Sequence, residues 1–289
     1  GKHRSLLLVG VALLLVGLAF KVAAVPFHSW TPDVYQGAPT PVTGFMASAA
    51  KAAAFGALLR AVVLAMPELR DDWRPVIWVL AIATLVIGSI LAVVQTNVKR
   101  MLAYSSISHA GFMLVGIEAG AHIGDVTHRG LSAVLFYLLT YGVLVSGTFA
   151  VVGLVGRTGD EAHALDSYKG LGKQRPLLAL TLTVFLLAQA GVPLTSGFVA
   201  KFSVITAAAD QKSYAIAIIA MLSAVIGAFL YLRIIVSMFL EDGEATGEPV
   251  SIPFGSGLAI AIAGVFTLVV GVFPGWLLSL ARDAATRLF

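Results

Sequence analysis

The chain has 289 residues, of which 58% are hydrophobic and 12% are charged; this charged fraction is about half that of an ordinary soluble domain and predicts a membrane protein. It has no cysteine, which excludes disulfides and thiolate-held iron–sulfur or zinc sites within the chain. The net charge of +4 is spread over short loops, so the sequence predicts no nucleic-acid partner.

Eight hydrophobic runs are long enough to cross the hydrocarbon core of a bilayer, for which a helix needs about 20 apolar residues. We expect all of them to be helices, because an open sheet leaves backbone groups unsatisfied in lipid. An even number of spans places both chain ends on one side of the membrane, and lysine and arginine are too evenly divided to indicate which side. The predicted spans are residues 5–25, 42–66, 75–95, 98–119, 130–156, 176–209, 214–240 and 253–280.

Two predicted spans contain a helix break. The run 176–209 is too long for one straight crossing, and Gly191 and Pro193 lie in its interior. Residues 24–29 (AVPFHS), where the first span ends, resemble residues 191–196 (GVPLTS) position by position. Paired interrupted helices are typical of inverted-repeat transporters, whose transport site lies at the breaks. The predicted break positions are Pro26, Gly191 and Pro193.

Three lysines, Lys21, Lys51 and Lys201, lie within hydrophobic runs, and no acidic residue lies away from the ends of a predicted span. A charged side chain near the middle of a bilayer costs about 3 kcal/mol or more, so each lysine is a candidate functional residue whose balancing carboxylate is expected elsewhere. Five alanines around Lys51 favour its burial in protein, where a structural role is the alternative. Lys21 can instead reach the membrane surface, and Lys99 and Arg100 are expected there as anchors.

A polar stripe runs along the predicted helix 98–119. Ser105, Ser108 and His109 are spaced i, i+3 and i+4, which places them on one helix face. A histidine titrates near neutral pH and can pass a proton, although serine hydroxyls can equally satisfy a core histidine. The next helix carries a similar stripe, for which helix packing is the alternative, formed by Tyr137, Thr140 and Tyr141.

Three segments carry a family resemblance. Residues 20–42 read FKVAAVPFHSWTPDVYQGAPTPV, residues 95–109 read QTNVKRMLAYSSISH and residues 190–198 read AGVPLTSGF. Together they resemble the antiporter-like membrane subunits of proton-pumping NADH–quinone oxidoreductase, bacterial complex I. The residues that favour the subunit N type over types L and M, and over related cation/proton antiporters, are Phe27, Val34, Tyr35 and Lys51.

The resemblance implies an all-α membrane fold with two inverted five-helix repeats and flanking helices, of which this chain matches the last eight helices. In the family, a glutamate on an earlier helix pairs with the lysine at position 21, and no helix of this chain supplies it. Either six N-terminal helices are missing from this sequence, which we favour, or the first half-channel is defective. The expected division is residues 1–66 for the end of the first repeat (broken helix 5–35, helix 42–66), 75–240 for the second repeat (broken helix 176–209) and 253–289 for a C-terminal helix and tail.

The resemblance also implies a proton-translocating subunit, driven by quinone reduction in other subunits. The proton-channel lysines of the family fall on Lys21, Lys51 and Lys201, and its relay histidine falls on His109. The secondary relay candidates are Ser105, Ser108, Tyr137 and Tyr141. The chain is expected to be a non-redox subunit of the enzyme, with no metal of its own, while flavin, iron–sulfur clusters and quinone belong to partner subunits.

The partners implied by the resemblance are the antiporter-like subunit M, the small subunit K, the lateral helix of subunit L and membrane lipids. The implied location is a bacterial plasma membrane, with both chain ends on the periplasmic side. Two other transport functions stay open, namely a subunit of a multisubunit cation/proton antiporter without redox coupling and a membrane subunit of an energy-converting hydrogenase. A structural scaffold with idle lysines is the remaining alternative.

Overall fold

The computed structural model describes residues 2–122, 128–156, 160, 162–243 and 252–288, and helices dominate these ranges. The predicted outer limits, Gly1 and Phe289, lie outside the described residues. The longer helices are α1 (Lys2–Val22), α2 (Trp30–Gly37), α3 (Thr40–Ala65), α4 (Arg70–Val93), α5 (Val98–Gly120), α6 (Arg129–Val155), α7 (Pro176–Ala190), α8 (Ser196–Asp210), α9 (Tyr214–Leu240), α10 (Phe254–Val272) and α11 (Gly275–Leu288).

Six of the described helices, namely α1, α3, α4, α6, α9 and α10, are long and apolar enough to cross a membrane. The other two predicted spans are not uninterrupted apolar helices. Helix α5 carries charged residues at both ends, and the run 176–209 is divided into α7 and α8. The predicted all-α membrane fold with two interrupted helices is therefore confirmed. The count of eight spans and the division of the chain into two repeats stay predictions.

Helix α5 lies at the centre of the bundle. Of its 23 residues, 21 are buried, and it contacts α2, α4, α6, α8 and α9. Many large apolar side chains of α1, α9 and α10 are exposed on the outer surface, as expected for helices that face lipid. The polar stripe predicted on α5 is thus enclosed by protein on all sides.

Helix α3 carries Lys51 between two stretches of π-helix. The segments Met46–Ala50 and Arg60–Ala65 have π-helical hydrogen bonding, and the residues between them, Lys51–Leu59, are α-helical. Stretches of π-helix are uncommon and occur frequently at functional sites. Lys51 therefore stands at the first residue after a local change in helical winding.

The first break separates α1 from α2, and its freed backbone groups are satisfied inside the protein. The Val25 amide donates to Thr84 Oγ1 of α4 at 2.9 Å. The indole of Trp30 donates to the Phe20 carbonyl at 3.0 Å. These bonds replace the helical ladder that Pro26 interrupts, as is necessary where irregular backbone lies at membrane depth.

The second break separates α7 from α8 at a glycine with a positive φ. Gly191 has φ 94°, a conformation that L-residues with a side chain rarely adopt. Helix α8 begins anew at Ser196, and the Thr195 side chain accepts the Phe198 amide as an N-cap. The two half-helices cross so closely that a Cβ on Gly197 would lie 1.8 Å from the Ala188 carbonyl oxygen.

This close crossing predicts that Gly197→Ala destabilises the protein. The added methyl group has no space, so α7 and α8 must separate, at a cost of about 1–3 kcal/mol. Thermal unfolding of the detergent-solubilised chain, followed by tryptophan fluorescence, measures the effect. Gly264→Ala on α10 is the control, because a Cβ there meets nothing within 4 Å. Equal stability of the two variants would contradict the close crossing.

Candidate proton-transfer site in the bundle core

Lys51 is buried at the contact between α3 and α5. Its side chain is 4% exposed, and its Nζ donates hydrogen bonds to the carbonyl and the hydroxyl of Ser106, both at 2.6 Å. The ring of Tyr141 lies 6.0 Å from the same nitrogen. Within the described residues Lys51 forms no ion pair. Among the described residues, the two neutral oxygens of Ser106 and the face of the Tyr141 ring therefore stabilise any positive charge on this amine.

His109 joins two tyrosine hydroxyls in the centre of the bundle. Its Nδ1 lies 2.7 Å from the Tyr137 hydroxyl and its Nε2 lies 3.2 Å from the Tyr231 hydroxyl. The ring of Tyr141 is 4.6 Å away, centroid to centroid. A neutral imidazole has one donor and one acceptor nitrogen, so His109 can receive a proton at one side and release one at the other.

The hydrogen-bonded chain continues from His109 toward the second break. The Tyr231 hydroxyl lies 2.6 Å from Ser105 Oγ, which donates to Gln189 Oε1 at 3.4 Å. The Gln189 amide in turn donates to Thr148 Oγ1 at 2.9 Å. Side chains from α5, α6, α7 and α9 are thereby linked in one buried network, which we call the core network: Tyr137, His109, Tyr231, Ser105, Gln189 and Thr148.

Lys201 lies beside the core network at the second break. It is 7% exposed, and its Nζ donates to the carbonyl of Ala190 at 3.0 Å. Ala190 is the last residue of α7 and follows Gln189 directly. The ring of Phe112 is 4.9 Å from the same nitrogen. Lys201 is therefore held where the helix break exposes a backbone acceptor.

The structure brings most of the predicted relay residues together, with two exceptions. Ser108 bonds to Ser89 of α4 at 2.9 Å and stands outside the core network. Lys21 is exposed on the outer surface of the described residues. Tyr141 contributes its ring to the site, while its hydroxyl has no hydrogen-bond partner among the described residues.

Several members of the site were not predicted from the sequence. Ser106 bonds Lys51 directly, and Gln189 and Tyr231 complete the core network. One signal could have found Gln189, which is a single amide in an otherwise apolar helix, two residues before Gly191. Tyr231 gave no comparable signal, because a tyrosine in a long apolar helix is usual in packing.

A buried carboxylate, Glu118, was also missed because it lies at the end of a predicted span. Its side chain is 3% exposed, and its Oε1 lies 3.0 Å from His122 Nε2 and 3.7 Å from Arg74 Nη1. Ser213 donates to the same oxygen at 3.3 Å. Glu118 thus joins the ends of α4, α5 and α9 at one membrane face, away from the core network.

The prediction that Lys99 anchors α5 at the membrane surface is wrong. Its side chain is 1% exposed, and its Nζ donates to the Ala38 carbonyl at 2.6 Å and to Asp160 Oδ2 at 3.3 Å. Asp160 also accepts the Thr40 amide and hydroxyl, both at 2.6 Å, and lies 2.7 Å from His163 Nε2. Asp160 therefore connects the start of α3 to the start of α5.

Folding lowers the pKa of this carboxyl. Burial raises the pKa of Asp160, but the hydrogen bonds from Thr40 and His163 and the charge of Lys99 outweigh burial and bring it down from the ordinary 3.8 to about 2. A carboxylate whose pKa is lowered by folding contributes stability above its unfolded pKa and loses that contribution as pH falls through its folded pKa.

We therefore expect Asp160→Asn to be less stable than the wild type, by an amount that stays constant from about pH 7 down to about pH 4. Below that, the difference should shrink as pH approaches about 2. Thermal unfolding in detergent across this range measures it. Asp166→Asn is the control, because Asp166 is 82% exposed in its pair with Lys169. A difference that vanishes already near pH 6 would contradict the assignment.

The family described as NADH:quinone oxidoreductase/Mrp antiporter, transmembrane, matches residues 1–227. The chain belongs to this family. Among curated relatives, NADH-quinone oxidoreductase subunit N of Mycobacterium bovis is 52% identical over an alignment of 289 positions, which covers 98% of this chain and 53% of the relative. The chain thus spans about half the length of the curated relatives that it matches.

Two solved structures share the fold. A chain of respiratory complex I from Thermus thermophilus with bound aureothin is 36% identical, with a TM-score of 0.78 over 94% of this chain and 58% of that chain. A chain of the Mrp complex from Dietzia sp. is 27% identical, with a TM-score of 0.82 over 97% of this chain and 59% of that chain. The same fold therefore occurs both in respiratory complex I and in an Mrp complex.

Proposed function

We propose that this chain is part of subunit N of a bacterial proton-pumping NADH–quinone oxidoreductase and moves protons through the membrane. The observation that carries the proposal is the core network, flanked by two buried lysines, in a chain 52% identical to NADH-quinone oxidoreductase subunit N. Buried lysines and a buried histidine are costly in a membrane, which favours a functional role for them.

The order of the groups suggests a route. Lys51 bonds Ser106, and the next residue along α5, Ser105, belongs to the core network. A proton released by Lys51 can reach His109 through hydroxyl groups, given local rearrangement or water. His109, whose Nε2 lies 3.2 Å from the Tyr231 hydroxyl, holds the proton before it passes through water to Lys201 at the helix break. Gln189 accepts the Ser105 hydroxyl and so positions it, but carries no proton itself. Each lysine then carries a proton during part of the cycle only.

The driving energy is proposed to come from quinone reduction in other subunits. This chain acts as a non-redox part of the enzyme, with flavin, iron–sulfur clusters and quinone bound elsewhere. Among the described residues, no group of three or more His, Asp or Glu is placed to hold a metal ion. The proposed partners are subunits M and K and the lateral helix of subunit L, in a bacterial plasma membrane with both chain ends periplasmic.

Lys21 is proposed to serve a separate half-channel, with its carboxylate partner on preceding helices of the full-length protein. Its exposure in the last turn of α1 supports this, because an exposed amine is available to a carboxylate of another element. Lys21 thus lies apart from the core network, whereas Lys51 and Lys201 lie on either side of it.

Lys51→Met should preserve assembly and lower proton pumping several-fold, because methionine fills the buried volume without carrying a proton. Lys51→Arg should not restore pumping, because arginine scarcely releases its proton. Proton uptake by inverted membrane vesicles, divided by the rate of NADH oxidation, is the measurement. Lys212→Met, at an exposed lysine, is the control. Pumping at the native ratio in both Lys51 variants would show that Lys51 is structural.

Tyr231→Phe tests the network between the lysines. Removing this hydroxyl disconnects Ser105 from His109, so we expect pumping per NADH oxidised to fall several-fold while the assembled complex keeps its electron-transfer subunits. The same change at Tyr214, which is 59% exposed, is the matched control. If both variants pump at the wild-type ratio, protons do not use the Tyr231 hydroxyl.

A subunit of a multisubunit cation/proton antiporter is the second candidate function. The TM-score of 0.82 with the Mrp complex from Dietzia sp. favours it. The two functions differ in their energy source. Inverted vesicles that take up protons on NADH addition support the first candidate, whereas proton movement that follows an imposed sodium gradient, without response to NADH, supports the second.

A further inference from the structure

A cavity of about 600 Å³ opens at the membrane face where α6 begins and α8 ends. It lies between these two helices and the junction of α10 with α11. Its lining extends along α8 from Asp210 to Phe198, a helical rise of about 18 Å. It is separate from the core network, because Lys201 and Ala208 point to the buried side of α8.

The inner part of this cavity suits a hydrocarbon chain. Its hydroxyl groups are occupied, because Ser203 donates to the Val199 carbonyl at 2.7 Å and Thr206 donates to the Phe202 carbonyl at 2.8 Å. The rings of Phe198 and Phe202 stack with centroids 5.7 Å apart. A space lined by stacked rings and satisfied hydroxyls offers little to water and favours an apolar occupant.

The mouth of the cavity suits an anionic headgroup. Arg129 of α6 and Arg282 of α11 both line it, and both are exposed. Asp210 pairs with Arg129, which leaves the three charges with a net positive sign. Arginine binds phosphate oxygens through charge-assisted hydrogen bonds, and basic pockets between transmembrane helices bind anionic lipid headgroups.

Helix α11 sets the depth of this mouth. It buries Leu277, Ala281 and Ala285 and exposes Trp276 and, further along, charged residues. An amphipathic helix with an exposed tryptophan lies at the boundary between headgroups and acyl chains. Arg282 therefore stands at the mouth of this cavity on a helix of the kind that lies among lipid headgroups.

We propose that this cavity binds one anionic phospholipid. Its phosphate lies between Arg129 and Arg282, and one acyl chain follows Phe198 and Phe202 along α8. The lipid then fills the space between α6, α8 and α11 and fixes α11 against the bundle. This site is independent of proton transfer, because none of its residues belongs to the core network.

Photolabelling of the full-length chain in native membranes tests the site. The probe is phosphatidylglycerol with a diazirine on one acyl chain, and mass spectrometry locates the labelled residues. We expect labels at Phe198 or Phe202. Arg282→Gln should lower labelling about tenfold, through loss of charge-assisted hydrogen bonds. Ser203→Phe should abolish it by filling the cavity.

Matched variants distinguish a built site from general contact with lipid. Arg287→Gln lies on the same helix outside the cavity, and Ile218→Phe adds the same ring to α9, so neither should change the labelling. The proposal is overturned if the corresponding phosphatidylcholine probe labels equally well, or if inorganic phosphate in excess removes the label. It is also overturned if the Arg282→Gln variant is labelled as strongly as the wild type. Absence of label at both Phe198 and Phe202 would likewise overturn it, and is the result expected if a protein segment covers the cavity.

Discussion

The enclosure of α5 is the constraint on which the rest of the structure depends. A polar side chain in the core of a membrane protein has little water to bond, so leaving it without a protein partner costs free energy. The partners of α5 come from different helices: Lys51 from α3, Ser89 from α4, Tyr137 from α6 and Tyr231 from α9. These bonds fix how the helices are rotated, and those of Tyr137 and Tyr231 also belong to the core network.

The two buried lysines are held in different ways. Lys51 bonds the middle of an intact helix, where Ser106 supplies a hydroxyl as well as a carbonyl. Lys201 bonds Ala190, the last residue before the break, where no further turn of α7 competes for the carbonyl. The second break therefore has two effects. It allows the two half-helices to cross closely, and it frees the Ala190 carbonyl to accept a hydrogen bond from the buried Lys201 amine.

The parts of the site that were predictable from sequence are residues of types that are rare inside membrane-spanning runs. Lys51, Lys201 and both breaks stand out because charges, glycine and proline are unusual inside apolar runs. Ser108 belongs to the predicted stripe, yet its hydroxyl bonds Ser89 of α4. Residue spacing along α5 predicts which side chains share a face, but the partner of each hydroxyl depends on the neighbouring helix. Tyr231 could not be predicted, because a tyrosine in a long apolar helix is not unusual. Glu118 could not be predicted, because charged residues are common at the ends of membrane spans.

The π-helical stretch before Lys51 has a mechanical consequence. A π-helix bonds residue i to i+5, one residue further than an α-helix does. If Met46–Ala50 changes to α-helical winding, the helix beyond it turns about its own axis, and the Lys51 amine leaves the Ser106 oxygens while the start of α3 stays fixed by Asp160. A change of winding in this one stretch would thus disconnect the buried Lys51 amine from one end of the path by rotating the helix about its own axis.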